Sequence, residues 1–257
     1  SAGRKALNQD FHGAMVPDGP ALVHKGIALA VADGISSSPV AHVAAETAVK
    51  SFLSDYYCTS EAWTVKTSAV RVISAANSWL FSQTKQADDL DRGHVCTFSA
   101  LVLKGRKAHL FHVGDSRIWR LSGQSLEQLT EDHTVRISEQ ESYLGRALGV
   151  GQSVDIDYAV FDLRPGDLFV LTTDGVHGFL RAKDMADAVL AGEDLDQTAR
   201  TLVEKALAAG SDDNLTVQIV RVIDIAEPGA DDLLNGEGTL PPAALPKVPG
   251  THEGFRL

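Results

Sequence analysis

The links between apolar segments are the feature that most limits the fold. Strand-like alternation or apolar runs fall at residues 26–32, 97–103, 108–113, 118–121, 168–172 and 215–222, with a further run at 154–161. Lys104-Gly105-Arg106 and Leu121-Ser122-Gly123 are turn-like links of a few residues. Parallel neighbours need a crossover of a dozen or more residues, so such links imply antiparallel pairing.

The helical segments come in pairs. Ser38-Pro39 reads as an N-cap with a first-turn proline, opening a helix to about residue 54 with Val40, Val43, Ala44, Thr47, Ala48 and Phe52 at helical spacing. A second helix over about 64–85 carries Val70, Ile73, Ala76 and Leu80 on one stripe. A third covers about 183–190, and a fourth runs from after Asp194 to Gly210. Grouped strands and paired helices predict the α+β class, antiparallel sheets covered by helices.

The 257 residues suit one large domain or two small ones, and 44% hydrophobic with 22% charged content supports a packed core. A net charge of −11 argues against a nucleic-acid partner, which needs a basic face. Cys58 and Cys96 are the only cysteines, which points to a reducing compartment and not a disulfide framework. No apolar run approaches the roughly 18 residues of a membrane helix, and no leader pattern shows, so the expected location is the cytoplasm. Residues 1–225 read as the folded domain. Residues 226–257 read as a linker or tail, because 226–250 repeats Pro and Gly and has no amphipathic period.

Five aspartates stand where strands begin or end. Asp10 precedes a weakly apolar stretch, Asp33 closes the first strand, and Asp115 follows the strand 108–113 and Gly114. Asp174 follows 168–172, and Asp213 precedes the last strand. Asp-Gly after a strand is usually a turn. Asp33-Gly34, however, leads into a helix, and Asp174 has no immediate return strand. Two carboxylates about 4 Å apart repel by about 4 kcal/mol at an effective dielectric of about 20. A convergent set therefore needs raised pKa values or bound cations, and oxygen-only ligands favour Mg²⁺, Mn²⁺ or Ca²⁺ over zinc.

The pieces Asn8-Gln9-Asp10, Val31-Ala32-Asp33-Gly34, His112-Val113-Gly114-Asp115-Ser116-Arg117, Leu129-Thr130-Glu131-Asp132-His133, Arg146-Ala147-Leu148-Gly149, Thr173-Asp174-Gly175 and Ser211-Asp212-Asp213-Asn214-Leu215-Thr216-Val217 occur in that order. Together they resemble the protein phosphatase 2C-like family of metal-dependent serine/threonine phosphatases, bacterial type, over roughly residues 4–222. The resemblance implies a four-layer αββα sandwich, two antiparallel sheets flanked by helix pairs. It implies that Asp33 bridges two Mn²⁺ or Mg²⁺ ions, with the Gly34 carbonyl at the second and Asp174 and Asp213 completing the first. Asp10 would hold the second ion, and Asp115 with Asp174 would form a third site. A metal-activated water would then attack phosphoserine or phosphothreonine directly, with no phosphoenzyme.

This chain departs from the family pattern at four places. Lys5 stands where the family has a phosphate-gripping arginine, with Arg4 one residue earlier, so either cation is a candidate. Ile35-Ser36-Ser37-Ser38 replaces a glycine-rich stretch, Cys96-Thr97-Phe98 replaces Gly-Thr-Thr, and the segment between His133 and Arg146 is short for a flap. His109, His112 and His133 read as structural, the last with proton donation as the alternative. Arg117 and Arg146 read as internal ion-pair partners, Trp63, Trp79 and Trp119 as core or helix packing, and Cys96 as a small buried residue. The expected partner is a phosphoprotein substrate met by a monomer. The ending Glu253-Gly254-Phe255-Arg256-Leu257 resembles the lead-in to a protein kinase domain in bacterial phosphatase–kinase fusions. The competing reading is a catalytically weak phosphatase-fold module that binds or senses a phosphorylated partner. Retention of all five aspartates speaks for the enzyme.

Overall fold

The computed structural model describes residues 1–86, 92–136 and 142–225, together with 251–252 and 255–256. In chain order the elements are β1 (Asp10–Met15), α1 (Gly19–Lys25), β2 (Ile27–Asp33), α2 (Ala41–Cys58), α3 (Val65–Thr84), β3 (Phe98–Lys104), β4 (Lys107–Val113), β5 (Arg117–Ser122), β6 (Ser125–Gln128), β7 (Thr134–Arg136), β8 (Ser142–Leu144), β9 (Asp157–Asp162), β10 (Leu168–Thr172), α4 (Asp174–His177), α5 (Ala182–Ala191), α6 (Leu195–Ala208), β11 (Val217–Arg221), β12 (Thr251–His252) and β13 (Phe255–Arg256). They fall in two compact units, Ser1–Ile225 and Ala226–Leu257. In the second unit β12 pairs antiparallel with β13, and the expected linker at 226–250 lies outside the described residues.

In the first unit one sheet has the order β1-β2-β3-β4-β9 and the other β11-β10-β5-β6. Every strand pair is antiparallel, as the short links require. The period-2 alternation of side chains builds the layers. In β2, β3 and β4, Ala28, Ala30, Phe98, Ala100, Val102, Phe111 and Val113 point to a core shared with α2 and α3. The alternate positions Val31, Leu101, Ala108 and Leu110 meet Phe169 and Leu171 of β10 in a core between the sheets. Leu168 and Val170 of β10 face Met185, Val189 and Leu202 on α5 and α6. Three cores separate four layers, αββα, with about 1.5–3 kcal/mol gained for each large apolar side chain buried.

Asp194 caps α6 at the expected start, accepting from the Gln197 amide at 3.0 Å, and Thr64 caps α3, accepting from the Thr67 amide at 3.1 Å. Ser38 does not cap α2. Val40 holds that position without a side-chain bond, and the Ser38 hydroxyl accepts from the Val40 amide at 3.3 Å. The Ser38 carbonyl accepts from Gln9 Nε2 at 2.6 Å, which ties this turn to the N-terminal segment ahead of the helix. Two tryptophans also depart from expectation: Trp119 is buried, but Trp63 and Trp79 are exposed. The Arg71 guanidinium lies over the Trp63 ring, and Trp79 meets His94 edge-on.

Candidate functional site

The link Gly114-Asp115-Ser116 brings the aspartates together. It joins β4 of one sheet to β5 of the other, so the end of β4 and the start of β5 lie side by side. In the first sheet Asp10 and Asp33 are register partners on β1 and β2. In the second, Thr172 pairs with both Arg117 and Val217, which brings Asp174, just past β10, and Asp213, just before β11, to the same end. All five predicted carboxylates therefore gather where the two sheets meet.

Hydroxyls fix their orientation. Thr173 and Thr216 both donate to Asp10 Oδ2, at 2.9 and 2.7 Å, and so tie the first sheet to the second. The Thr97 hydroxyl accepts from the Asp33 amide at 3.0 Å and pairs with the Ser116 hydroxyl at 2.6 Å. Asn214 Oδ1 accepts from the Gln9 amide at 2.7 Å, and its Nδ2 donates to the carbonyls of Ala2 and Leu7. Gly175 permits the close approach of α4 to this loop. A Cβ there would stand 2.0 Å from the Asn214 carbonyl oxygen.

Burial, then the charges of Asp10, Asp174 and Asp115, push the Asp33 acid well above the ordinary carboxylate range. Burial likewise raises Asp10 against the pull of Thr216 and Thr173, and raises Asp174 with help from Asp213. Asp115 is pushed up to about 6 by burial and by Asp174 and Asp132.

The two candidate cations part company. Lys5 Nζ lies 2.7 Å from Asp213 Oδ1 and 2.7 Å from the Ser36 hydroxyl. Arg4 is turned to the other side and donates to the Leu207 carbonyl at 3.3 Å. Arg117 forms a bidentate pair with Asp132, and Arg146 pairs with Asp157 at 2.7 Å, the internal partners expected of them. His109 bonds Tyr158 and His112 bonds Ser99 and Glu131, and burial lowers both imidazoles to about 4. Cys96 is fully buried, and its thiol is pushed up by burial and by Asp33. In sequence, Thr173 and Thr216 look like ordinary β-formers beside each strand, with nothing local to mark them as hydrogen-bond donors to Asp10 Oδ2.

The donor set suits hard cations. Asp10 Oδ1 and Asp174 Oδ1 are buried and have no hydrogen-bond partner, a costly state that an ion relieves. Among the described residues no three acidic, histidine or cysteine side chains form a ready-made coordination group. The buried, unpartnered oxygens of Asp10 and Asp174 carry the fit to an ion instead. Cavities of about 570 Å³, beside His12 and α6, and about 380 Å³, beside His112 and Tyr158, contain none of the five aspartates. Of the five, Asp213 keeps 27% of its side chain exposed, whereas Asp10 is buried.

Comparison with known proteins bears on the family and the fold. The family model of protein phosphatase 2C matches residues 2–216. Serine/threonine phosphatase stp of Listeria monocytogenes is 29% identical over 220 residues, 78% of this chain and 86% of that protein. Serine/threonine protein phosphatase PstP of Mycobacterium tuberculosis is 29% identical over 213 residues, 76% of this chain but 40% of PstP. The solved catalytic domain of PstP in complex with two manganese ions is 26% identical, with a TM-score of 0.70 over 86% of this chain and 94% of that one. Serine/threonine phosphatase Stp1 of Staphylococcus aureus, 17% identical with a TM-score of 0.74 over 86% of this chain and 91% of that one, shares the fold. The chain belongs to the protein phosphatase 2C family.

Proposed function

We propose that this chain hydrolyses phosphoserine and phosphothreonine in proteins at a site of two Mn²⁺ or Mg²⁺ ions, with a third ion at Asp115 and Asp174. Asp33 would bridge the first two, Asp174 and Asp213 would complete one, and Asp10 with the Gly34 carbonyl would hold the other. Such ions, when bound, lower the pKa of water towards ~7 and offset charge on the phosphoryl oxygens. The chain's own residues supply the rest. Thr173 and Thr216 hold Asp10 with its free oxygen turned inward. Lys5 stands at the rim, where an ammonium suits a substrate phosphate. No serine is asked to be a nucleophile.

The observation that carries the reading is the pair of orphaned, buried carboxylate oxygens on Asp10, in β1, and Asp174, just past β10. Phosphate release from phosphoserine and phosphothreonine peptides by metal-stripped protein, with Mn²⁺ or Mg²⁺ then restored, tests it. Turnover should be absent after stripping and should return with the ion. A chain inert in both metals, or equally active in chelator, refutes the proposal.

A further inference from the structure

We propose that His133 is the positioning residue for Asp115, holding the turn that aims this carboxylate at Asp174; the inference rests on the metal reading above. Gly114 has φ +115°, and a Cβ on it would stand 2.6 Å from Thr97 Cβ. The turn therefore cannot be held by a side chain of its own at residue 114. Among the described residues the Asp115 carboxylate takes no hydrogen bond from another side chain, so the backbone turn sets its direction.

That turn is gripped twice from one residue. The Gly114 amide donates to His133 Nδ1 at 3.0 Å, and the His133 amide donates to the Gly114 carbonyl at 2.7 Å. A backbone amide can only donate, so Nδ1 is the acceptor and the ring proton is on Nε2. Nε2 then donates to Asp157 Oδ2 at 2.9 Å, while Asp157 Oδ1 takes Arg146 at 2.7 Å. The His133 ring, 7% exposed and 4.8 Å from the His112 ring, is thus locked in tautomer and in plane. The His133 carbonyl also accepts from Gly145 at 2.6 Å, at the base of the β7–β8 hairpin. One residue therefore ties the hairpin base, the edge strand β9 and the Asp115 turn together.

Calorimetric titration of metal-stripped protein with Mn²⁺, beside kcat and KM on a phosphothreonine peptide, tests this role. His133→Leu should weaken the Mn²⁺ step that Asp115→Asn also weakens by about two- to tenfold, the loss expected of one neutral hydrogen bond. It should lower kcat and leave KM unchanged. His133→Asn should recover most of the loss, because its Oδ1 can accept from the Gly114 amide. The double variant His133→Leu/Asp115→Asn should bind no more weakly than Asp115→Asn alone, since both act through one carboxylate. Multiplying losses, an Asn variant no better than Leu, or unchanged Mn²⁺ binding in His133→Leu would overturn the role of His133 while leaving the metal reading intact. If His133→Leu does not fold by circular dichroism, Asp157→Ala takes its place and should give a smaller loss in the same step. Wild-type protein that takes up no Mn²⁺ overturns both readings.

Discussion

Replacing Thr216 with valine removes one hydroxyl and little shape. That hydroxyl donates to Asp10 Oδ2 at 2.7 Å, and Asp10 is only 6% exposed, so solvent is poorly placed to replace it. A hydrogen bond to a charged group contributes about 1.5–3 kcal/mol. At about 2–4 °C per kcal/mol for a domain of this size, Tm should fall by about 3–12 °C. The measurements are thermal and urea unfolding in chelator at mildly alkaline pH, for wild type, Thr216→Val, Asp10→Asn and the double variant. In the Asp10→Asn background the acceptor is neutral, so Thr216→Val should cost about 1 kcal/mol or less there. Burial raises the Asp10 pKa and the two threonines pull it down, so the variant's Asp10 takes up a proton first as the pH falls. The gap between wild type and variant should therefore narrow towards acid. An equal cost in both Asp10 backgrounds would refute the clamp.

Mn²⁺ at about a hundredfold its Kd should stabilise the chain by about 2.7 kcal/mol, or about 5–11 °C, and the gain should shrink in Asp213→Asn; identical melting curves with ion and with chelator would count against a convergent site. Lys5→Ala should weaken phosphopeptide binding by about 1.5–3 kcal/mol while Arg4→Ala changes it little, because Lys5 is at the carboxylates and Arg4 is bonded to Leu207; the reverse ranking in KM would reassign the clamp to Arg4. Gly175→Ala should both destabilise the fold and abolish turnover, since its Cβ would collide with the Asn214 carbonyl beside Asp213; a variant with wild-type melting and rate would contradict the close approach.

The sequence made the layers and the carboxylate edge legible for a local reason. Continuous apolar runs such as 168–172 mark strands buried on both faces without knowledge of partners, and an aspartate at a strand end needs only the sheet order to find its neighbours. The Asp10–Thr173–Thr216 clamp was invisible because it joins residues more than 160 positions apart. Nothing local distinguishes those threonines from other strand residues. The seven residues of α1 carry no readable period, and the three-residue strands β7 and β8 are too short to alternate. Ser38-Pro39 has the composition of a cap, but a tertiary bond from Gln9 holds Ser38 ahead of the helix. The exposed rings of Trp63, just ahead of α3, and Trp79, on it, show that an aromatic can serve a cation or an imidazole on the surface.

The claim that clustered aspartates hold the ions of a phosphatase is tested most directly by one titration. Phosphate release from a phosphothreonine peptide is followed as Mn²⁺ is added to metal-stripped wild-type protein and to Asp174→Asn, both confirmed folded by circular dichroism. The wild-type rate should climb from the chelator baseline and saturate, while Asp174→Asn stays at baseline across the titration. A wild-type rate independent of Mn²⁺, or an Asp174→Asn curve that overlays the wild type, would contradict the account.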